Sequence, residues 1–230
     1  FILIDPVTNN TCAVGMIIDR LDSKNLPSRI TDYDKERIAL GKSLIKAGER
    51  QKKYNQKGET IWITGLHGSG KNELAFSLEK ALFDNDATVV LFDGSSLRSG
   101  LNCELDYSPA DRAEHLRRVA HVCKILNDQG IITICSFISR NDSLRRQVAE
   151  IIGEERFHLF YMNAALEYCK NNKPELYKKA EEGKITNLPG IDMEFEVPGN
   201  AKGVFNPEEN EQNLNTILDY LAKNKVFPVQ

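Results

Sequence analysis

The stretch GLHGSGKN, from Gly65 to Asn72, decides what fold to expect for this chain. It matches the phosphate-binding pattern GxxxxGK[ST] at every position but the last, and it lies between an apolar segment and an amphipathic one. In such a loop, backbone N–H groups and the start of the next helix surround an anion, which makes a chance glycine-rich turn the weaker interpretation. We therefore predict a nucleotide phosphate loop, or P-loop, with these ATP-binding residues: Gly65, Gly68, Ser69, Gly70, Lys71 and Asn72.

Within this loop Lys71 is the catalytic candidate, because a lysine at this position reaches the β and γ phosphates of a nucleotide. Asn72 stands where a serine or threonine hydroxyl normally coordinates Mg²⁺. Its amide oxygen is one candidate ligand for the metal, and Asp93, at the end of a later predicted strand, is another. Asparagine is also a good N-cap residue, so the sequence leaves open whether Asn72 binds metal or caps the helix. The sequence also leaves two alternatives open for His67: its side chain either touches a phosphate or points to solvent.

On both sides of the loop, short apolar strands alternate with amphipathic helices, which predicts a parallel sheet. We expect an α/β fold of the P-loop nucleoside-triphosphate hydrolase type, with a mostly parallel five-stranded sheet and helices on both faces. Gly183 to Phe205 is predicted to be irregular, and so long a stretch is typical of a lid or a binding loop. Predicted strands cover residues 61–65, 88–93, 131–136 and 157–162, and predicted helices cover residues 72–83, 109–128, 142–152 and 212–224, with two short helices through Glu182.

The first 55 residues differ in character from the rest. Residues 1–22 read as a β piece without a core of its own, and residues 23–55 as a polar linker with an amphipathic helix from Tyr33 to Gln51. Residues 56–230 would form the P-loop domain. Because the chain begins with Phe1 and not with methionine, we expect it to be part of a longer polypeptide.

Composition limits the class of ligand. Hydrophobic residues make up 41 %, charged residues 27 %, and the net charge is −3. These values disfavour a nucleic-acid-binding protein, and no apolar run reaches the roughly 18 residues that a membrane span needs. The five cysteines have no metal-ligand spacing, so a reducing cytoplasm is expected.

Three further blocks follow the P-loop in order: DGSSLRSGLN at Asp93 to Asn102, YSPADR at Tyr107 to Arg112, and LRR at Leu116 to Arg118. They resemble the pattern DGDxxRxGLN, GFSxxDR and IRR of adenylylsulfate (APS) kinases. SFIS at Ser136 to Ser139 and LYKKA at Leu176 to Ala180 are similar to segments of the same family. The resemblance implies transfer of the γ-phosphoryl group of ATP, with Mg²⁺, to the ribose 3′-hydroxyl of APS, which gives PAPS in sulfate activation.

The resemblance also implies roles for individual residues. Arg98 and Arg112 would hold the anionic groups of APS, since a guanidinium binds phosphate or sulfate through paired hydrogen bonds. Tyr107 would stack on the adenine, and Lys178 would offset phosphate charge in the transition state. The substrate-binding set that it implies is Arg98, Asn102, Tyr107, Arg112, His115, Ile138, Ser139, Lys179 and Leu188.

Residues 1–22 resemble the closing strands of the GTPase subunit of sulfate adenylyltransferase. This implies a bifunctional parent chain in which an upstream β-barrel domain precedes the kinase and brings it to the small subunit of the adenylyltransferase. A stray β-hairpin of the kinase itself is the alternative. A homodimer is implied by the resemblance alone.

Several positions depart from the family pattern. Ser95 replaces the second Asp of DGD, a candidate for positioning Mg²⁺ and accepting the proton of the attacking hydroxyl, and a missing general base costs about 10²- to 10⁴-fold in rate. His115 replaces Asn, Arg140 replaces Pro, and Leu188 replaces a second stacking Phe. Two alternatives therefore stay open: a catalytically degraded domain that binds nucleotide or APS in a regulatory or scaffolding role, and a P-loop kinase for another nucleoside-like acceptor.

Overall fold

The computed structural model describes residues 2–4, 11–14 and 43–227, and the chain divides into two compact units, Phe1–Leu44 and Ile45–Gln230. In the smaller unit, β1 (Ile2–Ile4) pairs antiparallel with β2 (Thr11–Val14), as expected for a β piece. That β1 and β2 belong to an upstream barrel stays a prediction.

The predicted helix from Tyr33 to Gln51 lies partly outside the described residues, and its described part is shifted. Helix α1 runs from Ala47 to Tyr54. Its start is capped, because the Lys46 amide donates to the Glu49 carboxylate. Leu44 is 98 % exposed, so the apolar face predicted to include it is wrong at this end. Helix α1 falls in the larger unit, although the sequence assigned it to the linker region.

The larger unit is built on one five-stranded parallel sheet in the order β4-β5-β3-β6-β7, which confirms the predicted fold class. The P-loop follows the central strand, where its neighbours β5 and β6 lie on opposite sides. In open α/β sheets this reversal of strand order, at the carboxyl ends of the strands, is where ligands bind. The strands are β3 (Thr60–Thr64), β4 (Val89–Asp93), β5 (Ile132–Ser136), β6 (Phe157–Met162) and β7 (Gly203–Phe205).

Helices cover both faces of this sheet. Alternate residues of the fully buried strand β3 point to opposite faces, so Ile61 and Ile63 pack with α2 and α8, while Trp62 packs with α4 and α5. Both apolar clusters hold β3 in place, and β3 delivers the chain to the P-loop. The helices are α2 (Lys71–Asp84), α3 (Gly94–Arg98), α4 (Pro109–Asp128), α5 (Asp142–Ile152), α6 (Leu166–Asn172), α7 (Pro174–Glu181) and α8 (Asn210–Lys223).

Among the described residues, the sequence pattern missed one strand and one α-helix. The fifth strand, β7, lies at the end of the stretch predicted as irregular, and the five-residue helix α3 follows β4 directly. Both are too short to show a hydrophobic period. The remainder of the predicted irregular stretch is confirmed: residues 183–202 form no helix and no strand, only an isolated bridge between Pro189 and Met193. None of the described helices has the length and apolarity to cross a membrane.

Candidate active site

The P-loop turns sharply between β3 and α2, and two of its glycines are needed for that path. Gly68 and Gly70 adopt φ angles of 75° and 84°, in the left-handed region that side chains disfavour. A Cβ atom on Gly68 would also lie 2.7 Å from the carbonyl oxygen of Cys169. The loop therefore packs tightly against α6, directly before the start of α2, where a helix N-terminus favours an anion.

Lys71 is the first residue of α2 and is buried beside the loop. Its ammonium group donates to the carbonyl oxygen of Leu66, 3.0 Å away. Burial is the main cause that lowers the pKa of Lys71 to about 8, and the nearby charge of Lys173 adds to it. An ammonium held in a poorly solvated place interacts strongly with an anion, so Lys71 is suited to a nucleotide phosphate.

Asn72 does not cap α2 with its side chain. Gly70 is the N-cap residue and makes no side-chain hydrogen bond, while the Asn72 amide oxygen accepts a hydrogen bond of 2.6 Å from the Ser136 hydroxyl at the end of β5. Both side chains line the same cavity as Lys71. The amide and hydroxyl oxygens are ligands that Mg²⁺ accepts, so this pair fits a magnesium-nucleotide complex.

Asp93 ends β4 and caps α3. One carboxylate oxygen accepts from the amides of Ser95 and Ser96, at 2.8 and 3.1 Å, and the other accepts from the Ser96 hydroxyl. These hydrogen bonds lower the pKa of Asp93 although burial opposes them. Asp93 is thus an anion engaged in holding α3, and it is Ser95 that lines the cavity.

Two arginines lie close to an exposed tyrosine, and all three side chains line the same cavity. The guanidinium carbons of Arg98 and Arg112 lie 4.4 and 5.2 Å from the centre of the Tyr107 ring. Arg98 donates to the carbonyls of Leu105 and Asp106, and Arg112 to those of Tyr107 and Asn187. These contacts hold two cations close to one aromatic ring, a combination suited to binding an anionic nucleotide.

His115 lies on α4 and is buried. Its Nδ1 is 2.8 Å from the side-chain nitrogen of the fully buried Asn102. That amide nitrogen is a donor, so Nδ1 accepts and the ring is neutral. Burial, followed by the charges of Arg98, Arg112 and Arg118, lowers the pKa of His115 to about 4. At neutral pH His115 is therefore a polar, uncharged wall of the cavity.

We expect His115 to make the protein sensitive to acid. The unfolded chain protonates this histidine near pH 6.5 and the folded chain only near pH 4, so its stabilising contribution is complete above pH 6.5 and is lost as the pH falls towards 4. His115→Asn should lose less stability between pH 7 and pH 5 than the parent, as urea denaturation would show. His121→Asn, at an exposed position of α4, should behave like the parent. Equal pH dependence in all three would contradict a neutral buried His115.

These groups line one cavity of about 320 Å³, within the size range of small-ligand sites. It brings together residues from the P-loop, the end of β5, α3 and α4. Most of the predicted site residues lie there: Gly68, Gly70, Lys71, Asn72, Ser95, Arg98, Tyr107, Arg112, His115, Ile138 and Ser139.

The other predicted residues lie outside the cavity lining. Asn102 and Asp93 stand behind it and support His115 and α3, and Gly65 and Ser69 form the base of the loop, where Ser69 is fully buried. Lys178 and Lys179 are exposed on α7. Leu188 packs in an apolar cluster with Cys169 and residues of α7. For these residues the proposed contacts with substrate stay predictions.

Sequence reasoning did not select three cavity residues with suitable chemistry. Ser136 was visible as the first residue of SFIS, at the end of a predicted strand. Arg140 stood out only as a departure from the family pattern. Lys173 lies in the segment Asn171 to Glu175, which does not match the family pattern RDPKG. Both are cations that line the cavity, Lys173 beside Gly68 of the P-loop and Arg140 beside Ser139.

The comparisons with known proteins agree with this geometry. The family model for adenylylsulphate kinase matches residues 57–206. An adenylyl-sulfate kinase of Staphylococcus carnosus is 39 % identical over 195 residues, which cover 84 % of this chain and 98 % of that protein. The bifunctional enzyme CysN/CysC of Rhodopirellula baltica is 37 % identical over 203 residues, 86 % of this chain but only 31 % of that protein.

Among solved structures, the Mycobacterium tuberculosis APS kinase CysC in complex with AMPPNP and APS is similar, with a TM-score of 0.69 and 33 % identity. The similarity covers 73 % of this chain and 99 % of that one. Motif, fold, cavity and relatives thus lead to the same assignment, and the chain belongs to the adenylylsulphate kinase family.

Proposed function

We propose that this chain transfers the γ-phosphoryl group of ATP to the 3′-hydroxyl of APS and releases ADP and PAPS. The observation that carries the proposal is that the P-loop and the Arg98–Tyr107–Arg112 cluster line one and the same cavity. Phosphoryl transfer depends above all on holding donor and acceptor in line and on stabilising the charge between them. A relative in the family was solved with AMPPNP and APS, a nucleotide pair of the kind that this cavity would hold.

On the donor side, the backbone of the P-loop and Lys71 would bind the β and γ phosphates. Lys173 is placed to add a second positive charge, because its side chain lies next to Gly68 and lines the cavity. Half-buried His67 has its pKa lowered to about 3, by burial first and then by Lys71, Arg112 and Lys173. It would remain neutral there and donate or accept a hydrogen bond.

Asn72 and Ser136 are the residues that would hold Mg²⁺. Asp93 is less suited, since it does not line the cavity and both of its carboxylate oxygens hold α3. When bound with the nucleotide, Mg²⁺ neutralises phosphate charge. Among the described residues, no group of three or more His, Cys, Asp or Glu side chains could hold a metal by itself, so the phosphates would supply the remaining ligands.

On the acceptor side, Tyr107 would stack on the adenine of APS while Arg98 and Arg112 bind its anionic tail. Glu73 is the single carboxylate among the described residues that line the cavity. Since Ser95 occupies the position of the missing Asp, charge stabilisation and alignment would carry most of the rate. We therefore infer an active kinase with slow turnover.

A coupled assay for APS-dependent release of ADP tests the function and the cause of slow turnover together. The parent chain should release ADP only when APS is present, and the double variant Asn72→Ser, Ser95→Asp should turn over about 10²-fold faster, since it gains a carboxylate that can accept the hydroxyl proton. The matched control is Asn72→Ser, Ser95→Asn, which has the same shape without the charge and should not gain. If neither parent nor double variant makes PAPS, the proposed function is wrong.

We further infer that the kinase acts in the cytoplasm and forms a homodimer. We also infer that it belongs to a longer parent chain, which contacts the small subunit of sulfate adenylyltransferase. The support for a cytoplasmic site is chemical: Cys103, Cys123, Cys135 and Cys169 are all free thiols. The support for a longer parent is the bifunctional relative. Light scattering of the purified chain would test the dimer, which a monomer mass at micromolar concentration would exclude.

A further inference from the structure

Arg140 lies between the end of β5 and the start of α5 and lines the same cavity as Arg98 and Arg112. The family pattern has proline at this place, so the resemblance assigns it no role. We propose that Arg140 is the third guanidinium of the acceptor subsite, and that it favours an acceptor with two linked anionic groups over one with a single phosphate. This inference rests on the proposed function and adds a determinant of specificity to it.

The position of Arg140 is fixed from one side. Its Nη1 donates to the carbonyl oxygen of Glu194, 3.2 Å away, and Arg112 is held in the same manner by the carbonyl of Asn187, 2.7 Å away. Both carbonyls belong to the irregular segment 183–202. A guanidinium has five N–H donors, so these contacts leave most of the Arg140 donors for another partner.

The charges around Arg140 call for an anion. Burial lowers the pKa of Arg112, and the nearby charges of Arg98 and Arg140 lower it further. Three neighbouring cations repel one another unless a negative group compensates them. Within the described part of the chain, none of the three forms a salt bridge. Three carboxylates lie near these guanidiniums: Asp106 near Arg98, Asp192 near Arg112, and Glu196 near Arg140. Each of them already accepts a hydrogen bond from a backbone amide, and none forms a salt bridge with the three arginines.

The chemistry of the proposed acceptor suits a site with three guanidiniums. A single phosphate is bound well by one or two guanidiniums, each of which can form two parallel hydrogen bonds with it. A phosphosulfate tail carries two tetrahedral anionic groups in a row and offers oxygens to a third. Arg98 and Arg112 lie at the Tyr107 ring, so Arg140, on the separate β5–α5 connection, is the guanidinium of the cavity left for the outer group.

Isothermal titration calorimetry on the full 230-residue chain tests this, with APS and AMP as ligands and excess ADP present to occupy the donor loop without turnover. Arg140→Gln should weaken APS binding about 10- to 100-fold, as expected for the loss of a hydrogen-bonded charge. AMP, which lacks the sulfate, should lose less than about threefold. Arg146→Gln is the matched control, because Arg146 lies on α5 with its side chain 67 % exposed and its guanidinium near Asp142. It should bind both ligands like the parent.

The possible outcomes distinguish a failure of the inference about Arg140 from a failure of the proposed function. Equal losses for APS and AMP would mean that Arg140 only anchors the segment through Glu194, and unchanged affinities would mean that it has no role, so either result overturns the inference. A parent chain that binds AMP but not APS overturns the proposed function as well. A parent that binds APS normally beside an unaffected Arg140→Gln overturns the inference alone.

Discussion

Lys71→Ala is expected to lower kcat for APS-dependent ADP release by about 10³-fold, the upper range for the loss of one charge-stabilising group in an active site. The ammonium group of Lys71 is buried at the base of the cavity, where water cannot replace it, and it sits at the start of α2 beside the phosphate loop. Lys80→Ala is the control, because Lys80 lies on the same helix but is exposed and paired with Asp84. It should retain the activity of the parent.

The same substitution should not destabilise the fold. Because burial lowers the pKa of Lys71 to about 8, keeping this lysine charged costs stability at every pH below about 8, and the cost disappears as the pH rises towards 10.5. Lys71→Ala should therefore melt at or above the temperature of the parent at pH 7. A variant that is inactive and also unfolds at lower temperature would show that Lys71 has a structural role instead.

Gly58→Ala is expected to destabilise the protein by about 3 kcal/mol, at the upper end for overpacking a close contact. A Cβ atom at Gly58 would lie 2.0 Å from the backbone carbonyl oxygen of Asn127, at the end of α4. The backbone there is tied to β3, because the Asn127 side chain accepts a hydrogen bond from Thr60 and donates to the carbonyl of Ile131. Neither partner can move away easily, and the melting temperature should fall by roughly 6 to 12 °C.

Gly48→Ala provides the comparison. Gly48 lies in the exposed helix α1, and a Cβ atom there would have nothing within 4 Å. Since alanine favours a helix more than glycine does, the melting temperature should stay the same or rise slightly. A melting temperature for Gly58→Ala within about 2 °C of the parent would contradict the close approach of Gly58 to Asn127.

The sequence predicted the fold well because its signals were local. The P-loop pattern located the turn from β3 to α2, and the apolar runs located four of the five strands of the sheet within about one residue. Strand β7 was missed because it has only three residues and pairs solely with β6. Residues 43–46 were wrongly predicted to be helical, because Leu44 and Ile45 have the spacing of a buried helix face but remain exposed.

The candidate site was harder to predict, because its members come from separate parts of the chain. Motifs selected Arg98, Tyr107 and Arg112, and the structure places them in one cluster. No pattern in the sequence could show that Asn72 bonds to Ser136, 64 residues away. Nor could it show that Asp93 caps α3 and leaves Ser95 to face the cavity.

The irregular segment 183–202 is attached to the rest of the protein in a way that bears on how its sequence can change. Arg112, Arg140 and Arg145 hold it through the carbonyl oxygens of Asn187, Glu194 and Glu196. Every residue type supplies a carbonyl oxygen, so substitutions in the segment can accumulate while these contacts persist. The three arginines are side-chain partners and have no such freedom. Over evolution, the side chains of the segment can therefore change while its attachment to the three arginines is kept.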